Sequence, residues 1–420
     1  MDTEFLKNSL LRLCAQPRTF EFLSKEMQGL DPIKLLDIIK ELEEVDDKLQ
    51  KENEYWVIKT AKSSNLEIGY PAPPIHYFKK YMGHFDFLKS PHPLDYEWRN
   101  TAKSLNYLTE LITQINKPEE SVLLMGMPTL FANICVKDIP QNVKLVERNE
   151  PIIESLLKLT NDKTSIIKAD IFKARPSDVG QHSCAIMDPP WYSDHFFQFV
   201  WLAAQCLKVG GTMIISIPPI NTKPDIDVQR LEWFNFCQQQ GLCIENLFAS
   251  RLEYAMPFFE FNAFRTAGIE NILPFWRTGD VVTFKKIRTT KSKRPHFVEP
   301  TSTWSEKTID TVRIRVNTAL KSEGNFLIKS LVPPTDILPS VSKSDERRSG
   351  VNIWTSGNRI FNVSNPDVFL KYLNTFGNGS SGNKEEEIVH KFVQMIVELE
   401  KKEFDNYLNW LYYEMERQGF

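Results

Sequence analysis

No two cysteines of this 420-residue chain are spaced Cys-x-x-Cys; Cys14, Cys135, Cys184, Cys206, Cys237 and Cys243 are scattered, mostly within apolar segments. That spacing excludes a zinc knuckle and points to free thiols in a reducing compartment, so a cytoplasmic protein is expected. No apolar run reaches the roughly 20 residues that span a bilayer. The acidic start Met1-Asp2-Thr3-Glu4 also lacks the basic-then-apolar order of a secretory leader, and no membrane partner is expected. A net charge of -3 gives no global attraction to nucleic acid, so any basic surface must be local. Histidine is scarce too, and neither His182 nor His195 has a partner at ligand spacing; no metal is expected.

What is present is an ordinary globular composition, 42% hydrophobic and 25% charged, in a chain too long for one hydrophobic core. Five regions are expected: 1–60, a linker and leading helix at 61–120, an α/β domain at 121–288, an irregular extension at 289–382 and an amphipathic helix at 383–420. Phe5, Leu6, Leu10 and Leu13 predict a first helix ended by Pro17, and Thr19 caps a second over Phe20 to Met27. Asp31-Pro32 starts a third, with Leu35, Leu36, Ile38, Ile39, Leu42 and Val45 on its core face. The alternation from Lys48 to Ile58 around a polar turn predicts a hairpin. This order resembles a winged helix, but Asp31, Asp37, Glu41, Glu43 and Glu44 make the third helix acidic, and phosphate would repel it. Docking of a protein partner, or self-association, is therefore expected of this region rather than DNA reading.

Prolines 71, 73, 74, 91 and 93 favour extended chain before a helix over Thr101 to Ile115. From Ser121, apolar runs at Val122–Met125, Val143–Val146, Ser165–Ile167, Cys184–Met187 and Thr212–Ile217 alternate with helical stretches, the pattern of a parallel α/β sheet. Two late strands, Gly241 through Leu252 and Val281 to Lys285, follow. Lys285 to Arg294 forms a short basic linker able to touch phosphates. Gly377 to Gly382 reads as a flexible spacer. Ile388, Phe392, Met395, Ile396, Leu399, Leu408, Leu411 and Met415 then give the last helix an apolar side for the body or a second subunit.

The most specific motif is Asp188-Pro189-Pro190-Trp191-Tyr192, directly after an apolar strand and before a helix that Ser193 or Asp194 can cap. Four letters can recur by chance in a strand-to-helix turn with buried aromatics, but strand, motif and helix in this order favour a functional site. The motif resembles the Asp-Pro-Pro-aromatic signature of the class I, Rossmann-like S-adenosylmethionine-dependent methyltransferases that act on amino groups, a resemblance covering about Ser121 to Lys286. It implies that Asp188 and the Pro189 carbonyl hold the N–H groups of a weakly nucleophilic amine, while Trp191 or Tyr192 stacks on a planar acceptor for ~1–3 kcal/mol. A base in a duplex would have to be flipped out first.

The same resemblance implies S-adenosylmethionine as cofactor. Glu147, ending the second strand, would take the ribose hydroxyls; Asp170 would hold the adenine amino group, and Ile171 would lie beside the ring. The first loop, Met125-Gly126-Met127-Pro128, departs from the family pattern by keeping Gly126 alone of the usual glycines. An N-methyltransferase acting on an exocyclic or amide amino group, with nucleic acid as substrate class, is the leading expectation. Two alternatives stay open. One is an aminopropyltransferase of the branched-polyamine-synthase type, which joins a similar N-terminal domain to a similar motif; the other is a non-catalytic scaffold.

Overall fold

The computed structural model describes residues 3–59, 90–223, 225–290, 292–297, 304–320, 325–342, 345–377 and 382–417. Most of the proline-rich link, Lys291 and most of the glycine-serine spacer lie outside the described residues.

The N-terminal unit has helices α1 (Thr3–Leu13), α2 (Phe20–Glu26) and α3 (Pro32–Lys40), with strands β1 (Arg18–Thr19), β2 (Leu49–Glu52) and β3 (Tyr55–Ile58) in the order β1-β3-β2. The expected caps form: Thr19 Oγ1 accepts from Phe22 N at 3.2 Å, and Asp31 Oδ1 from Ile33 N at 2.9 Å. Each satisfies a backbone donor that the first helical turn leaves without a partner. The core face of α3 ends sooner than its periodicity suggests. Residues 41–45 form a π turn, which shifts the side-chain phase and leaves Val45 exposed while Leu42 stays buried.

The central body is one eight-stranded sheet. Strands β5 (Ser121–Met125), β6 (Asn142–Glu147), β7 (Thr164–Lys168), β8 (His182–Met187) and β9 (Leu207–Ile217) are parallel, after a two-residue strand β4 (Arg99–Asn100). The antiparallel pair β10 (Leu242–Ala255) and β11 (Thr278–Lys286) completes the order β4-β10-β11-β9-β8-β5-β6-β7. Helices α4 (Ala102–Ile115), α5 (Pro128–Lys137), α6 (Glu150–Leu157), α7 (Pro176–Val179), α8 (Ser193–Cys206), α9 (Ile226–Gln239) and α10 (Phe258–Thr266) accompany it. Both faces are covered, which is why β5 and β8 read as continuous apolar runs: Val122, Leu124, Cys184 and Ile186 join one core, and Leu123, Met125, Ala185 and Met187 the other. The order in which successive strands are laid across the sheet reverses between the parallel neighbours β5 and β8, where an open α/β sheet leaves a crevice at its carboxyl edge. This is a Rossmann-like fold.

The stretch expected to be irregular is a sheet. Strands β12 (Trp304–Ile309), β13 (Val312–Asn317), β14 (Ile328–Ser330), β15 (Ile353–Thr355) and β16 (Ile360–Val363) form one antiparallel layer ordered β12-β13-β15-β16-β14, followed by α11 (Pro366–Thr375) and α12 (Lys384–Arg417). Three of the five strands have four residues or fewer, too short for an alternating pattern to stand out among polar loops. The buried side of α12 also differs from the expected stripe. Val389, Val393, Ile396 and Val397 pack on the sheet, and Tyr407 and Leu411 join the core that α10 shares with the N-terminal unit, Tyr407 packing on Phe258 and Phe261, whereas Ile388, Met395 and Leu399 are exposed. One helix serving two partners cannot keep a single straight stripe. Its Tyr407 hydroxyl donates to the Met256 carbonyl at 2.7 Å, tying it to the body.

Candidate active site

Four consecutive parallel strands deliver the candidate residues to one edge of the sheet. Gly126 follows β5, Glu147 ends β6, Asp170 and Ile171 follow β7, and Asp188 follows β8. Gly126 has φ +66°, and a Cβ there would meet the Phe199 ring at 3.3 Å, so the loop needs glycine at that position. Glu147 Oε1 accepts from the backbone N–H groups of Arg148 and Asn149, both at 2.8 Å, while burial pushes its pKa up. Asp170 accepts from Phe172 N at 3.0 Å and pairs with Arg148 at 3.4 Å; Ile171 beside it is buried.

Asp188 has the most specialised surroundings. The Tyr254 hydroxyl donates to its Oδ1 at 3.0 Å, Ser216 Oγ lies 2.6 Å from that phenol oxygen, and the Asn100 side chain also hydrogen-bonds the carboxyl. These donors are neutral, so burial dominates and pushes the Asp188 pKa up to about 7. Register explains the convergence: Asn100 on β4 lies opposite Tyr254 on β10, and Ser216 comes from β9. Gly279 leaves the room they need, since a Cβ there would stand 2.8 Å from Ser216 Oγ and 3.0 Å from the phenol oxygen.

The rest of the motif is braced by aromatic contacts. Trp191 packs edge-on against Tyr254 with ring centroids 5.8 Å apart, and Tyr192 packs against Tyr96 at 5.9 Å. Lys223 Nζ donates to the Trp191 carbonyl at 2.8 Å and sits 5.3 Å over the Tyr192 ring, with its pKa lowered by burial. Helix α8 begins at Ser193, but neither Ser193 nor Asp194 caps it; Ser193 Oγ instead accepts from Trp233 Nε1 at 3.0 Å. The indole takes the hydroxyl that a cap would have used.

A cavity of about 720 Å³ opens beside the motif. Its lining includes Gly126 and Asp188 to Tyr192, whereas Glu147, Asp170 and Ile171 lie outside it. Three regions of the chain build its walls: Asp31, Ile33, Lys34 and Asp37 from the start of α3, the strand-end residues of the body, and Pro339 to Ser342 with Asp345 and Arg347 from the C-terminal unit. The helix expected to dock a partner thus turns its first residues into the cavity. Arg277, paired with Glu260 at 2.6 Å, stacks at 4.7 Å over Trp98 in the same wall. Two residues of the basic linker are used internally, while Arg288 and Lys293 are exposed. Lys286 Nζ bonds the Gln240 carbonyl at 2.7 Å, and the Arg294 guanidinium bonds the carbonyls of Phe172 and Ala174.

Sequence reasoning missed Asn100, Ser216, Lys223, Tyr254 and Arg277. Each stands at a strand end or loop far from the motif, with no spacing that links it to Asp188; only the strand order brings them together.

The fold and strand-end site define a Rossmann-like α/β protein with an added unit at each end. No protein-family model matches the chain, and no curated protein matches it. Among solved structures it is similar to the branched-chain polyamine synthase of Thermus thermophilus, in complex with N4-aminopropylspermidine and 5'-methylthioadenosine: TM-score 0.53, 13% identity, covering 69% of this chain and 89% of that one. The C9 mutein of that synthase is similar at TM-score 0.55 and 14% identity, with 70% and 90% covered. A TehB-like SAM-dependent methyltransferase from Corynebacterium glutamicum is similar over 44% of this chain and 88% of its own, at 10% identity and TM-score 0.31.

Proposed function

We propose that this chain is an S-adenosylmethionine-dependent transferase that methylates an amino group on a planar acceptor at Asp188. The observation that carries the reading is the Asp188 carboxyl, held by neutral donors at the carboxyl end of β8, beside Trp191 in a walled cavity. A carboxyl whose pKa lies near neutrality can accept an amine N–H as the nitrogen attacks and take the proton as the new bond forms.

The residues fit the cofactor. Glu147 has Oε1 committed to its own loop, which leaves Oε2 for ribose hydroxyls, and Gly126 keeps the first loop open. No side chain caps the start of α5, so the first backbone N–H groups there suit the cofactor's carboxylate. Bound S-adenosylmethionine would supply an electrophilic methyl carbon on a positively charged sulfur. The chain's residues would then orient the acceptor: Asp188 and the Pro189 carbonyl on its N–H groups, with Trp191 or Tyr192 along its plane. The N-terminal unit, arranged as a winged helix would be, contributes a wall of the site.

A second reading, aminopropyl transfer to a polyamine, is favoured by the likeness to the branched-chain polyamine synthase over 69–70% of this chain. The charge of the cavity favours methyl transfer. Its carboxylates Asp31, Asp37, Glu97, Asp188 and Asp345 are matched by Lys34, Arg99, Lys223, Arg277 and Arg347, so no excess of negative charge awaits a polycation.

One experiment tests both readings. The protein is incubated with methyl-labelled S-adenosylmethionine, or with its decarboxylated form, against nucleosides, single- and double-stranded nucleic acid, protein and spermidine. Label on a flat amine supports the proposal. Aminopropyl transfer to spermidine would replace it with the second reading, and binding of cofactor without transfer to anything would favour a scaffold.

A further inference from the structure

Asn100 is 3% exposed, lies in the cavity wall, and hydrogen-bonds the Asp188 carboxyl through its side chain. A carboxylate has no hydrogen to give, so the amide nitrogen is the end that faces it. The other end is idle: Oδ1 is closed from solvent and has no hydrogen-bond partner among the described residues. An orphaned buried carbonyl is destabilising and calls for an explanation. The Tyr254 hydroxyl gives its proton to Asp188 Oδ1, and the Ser216 hydroxyl, which also hydrogen-bonds the carboxyl, lies against the phenol oxygen.

We propose that Asn100 is a positioning residue with two orientations, donating from Nδ2 to the Asp188 carboxylate before transfer and, after a half-turn of its amide, accepting at Oδ1 from the Asp188 carboxylic acid. The inference rests on the reading that Asp188 takes the acceptor amine's proton. In that step the nitrogen lone pair forms the new N–C bond, the C–S bond breaks with its electron pair going to sulfur, and the amine proton passes to a carboxyl oxygen of Asp188. The new O–H then needs an acceptor, and Asn100 stands in the same cavity wall. The amide's idle oxygen provides one without moving the backbone, because oxygen and nitrogen ends have nearly the same shape. A carboxyl titrating near neutrality, as burial makes Asp188 do, visits both states in the working range.

The test separates this role from simple bracing and does not depend on turnover. Infrared difference spectra of the full chain with carbon-13 aspartate, from pH 5 to 9, follow the Asp188 carboxylic acid band, identified by its loss in Asp188→Asn. In Asn100→Leu the band should move to the higher frequency of an acid without an acceptor, and its titration midpoint should change little, because both protonation states lose a partner. If Asn100 only braces the carboxylate, the midpoint will rise and the acid band will stay in place, which overturns the proposal. Asn100→Thr, whose hydroxyl can both donate and accept, should keep the wild-type band and guards against misfolding of the leucine variant; a free-acid band in a folded threonine variant would also count against it. The methyl-transfer rate at saturating substrate should fall about tenfold in Asn100→Leu with little change in KM. An inert wild type showing these spectra would sink the methyl-transfer reading while leaving the amide's two orientations standing.

Discussion

Two carboxyls, in different units of the molecule, have a pKa pushed up to about 7 by the same cause, desolvation, in different surroundings. Asp188 is ringed by the neutral side chains of Tyr254, Ser216 and Asn100 and lines a cavity. Glu400 of α12 is fully buried against Thr355, the Gly357 backbone N–H at 2.9 Å and the Arg359 guanidinium at 3.4 Å, and Arg359 in turn holds Glu403 at 2.6 Å. The first has room for a ligand and no counter-charge; the second has a counter-charge and is not among the cavity's lining residues. A perturbed pKa therefore marks a candidate site only when a cavity accompanies it; without one it marks structure.

The sharpest way to break that contrast is at Asp188. Asp188→Ala should lower transfer by about 10²–10⁴-fold in single-turnover kinetics while leaving cofactor affinity within about twofold, because the carboxyl acts on the acceptor. Wild-type rates in the folded variant would remove Asp188 from the chemistry. The matching change in the other region is Arg359→Ala, which leaves Glu400 buried without its counter-charge. It should destabilise the fold by roughly 3 kcal/mol in urea titrations, with turnover per folded molecule unchanged. An inactive but stable Arg359→Ala protein would erase the distinction between the two regions.

Next in size is the cofactor side, where Glu147→Ala should weaken S-adenosylmethionine binding by ~1.5–3 kcal/mol in calorimetry, the scale of a charge-assisted hydrogen bond. An unchanged affinity would move the ribose contact elsewhere. The pH dependence of stability tests both carboxyls together. Each has a folded pKa of about 7 against ordinary values of 3.8 for Asp188 and 4.5 for Glu400. Below the ordinary value both folded and unfolded chains hold the proton. Between it and about 7 only the folded chain does, so unfolding releases a proton and stability falls as pH rises through that window. Asp188→Asn and Glu400→Gln should each flatten the decline in urea midpoints between pH 4.5 and 7.5. The smallest expected effects come from the glycines that make room for each group. Gly279→Ala should reduce turnover by pushing on Ser216 and Tyr254, and Gly357→Ala, whose Cβ would meet the Glu400 carboxyl at 2.5 Å, should lower the melting temperature instead.

The strand-end placement of the candidate residues was readable in the primary structure because its physics is local. A buried parallel strand is continuously apolar, a strand must end before a ligand can be met, and Asp188-Pro189-Pro190 stands directly after such a strand. Gly126, Glu147 and Asp170 follow the same rule, and the caps at Thr19 and Asp31 need only one turn of chain. The five-stranded C-terminal sheet was not readable, because strands as short as β14 and β15 have too few residues for alternation to emerge.

What the sequence by itself determined is the alternation of strands and helices, the carboxyl-edge position of the candidate residues and the absence of any run long enough to span a bilayer. Only the tertiary structure decided which distant residues share a wall. Asn100 and Tyr254 are 154 positions apart yet pair across β4 and β10, and Asp31 and Arg347 line one cavity from opposite ends of the chain. Such meetings depend on sheet order and on the packing of whole units against one another. Those are set by the summed burial of apolar faces, so no short stretch of sequence records them.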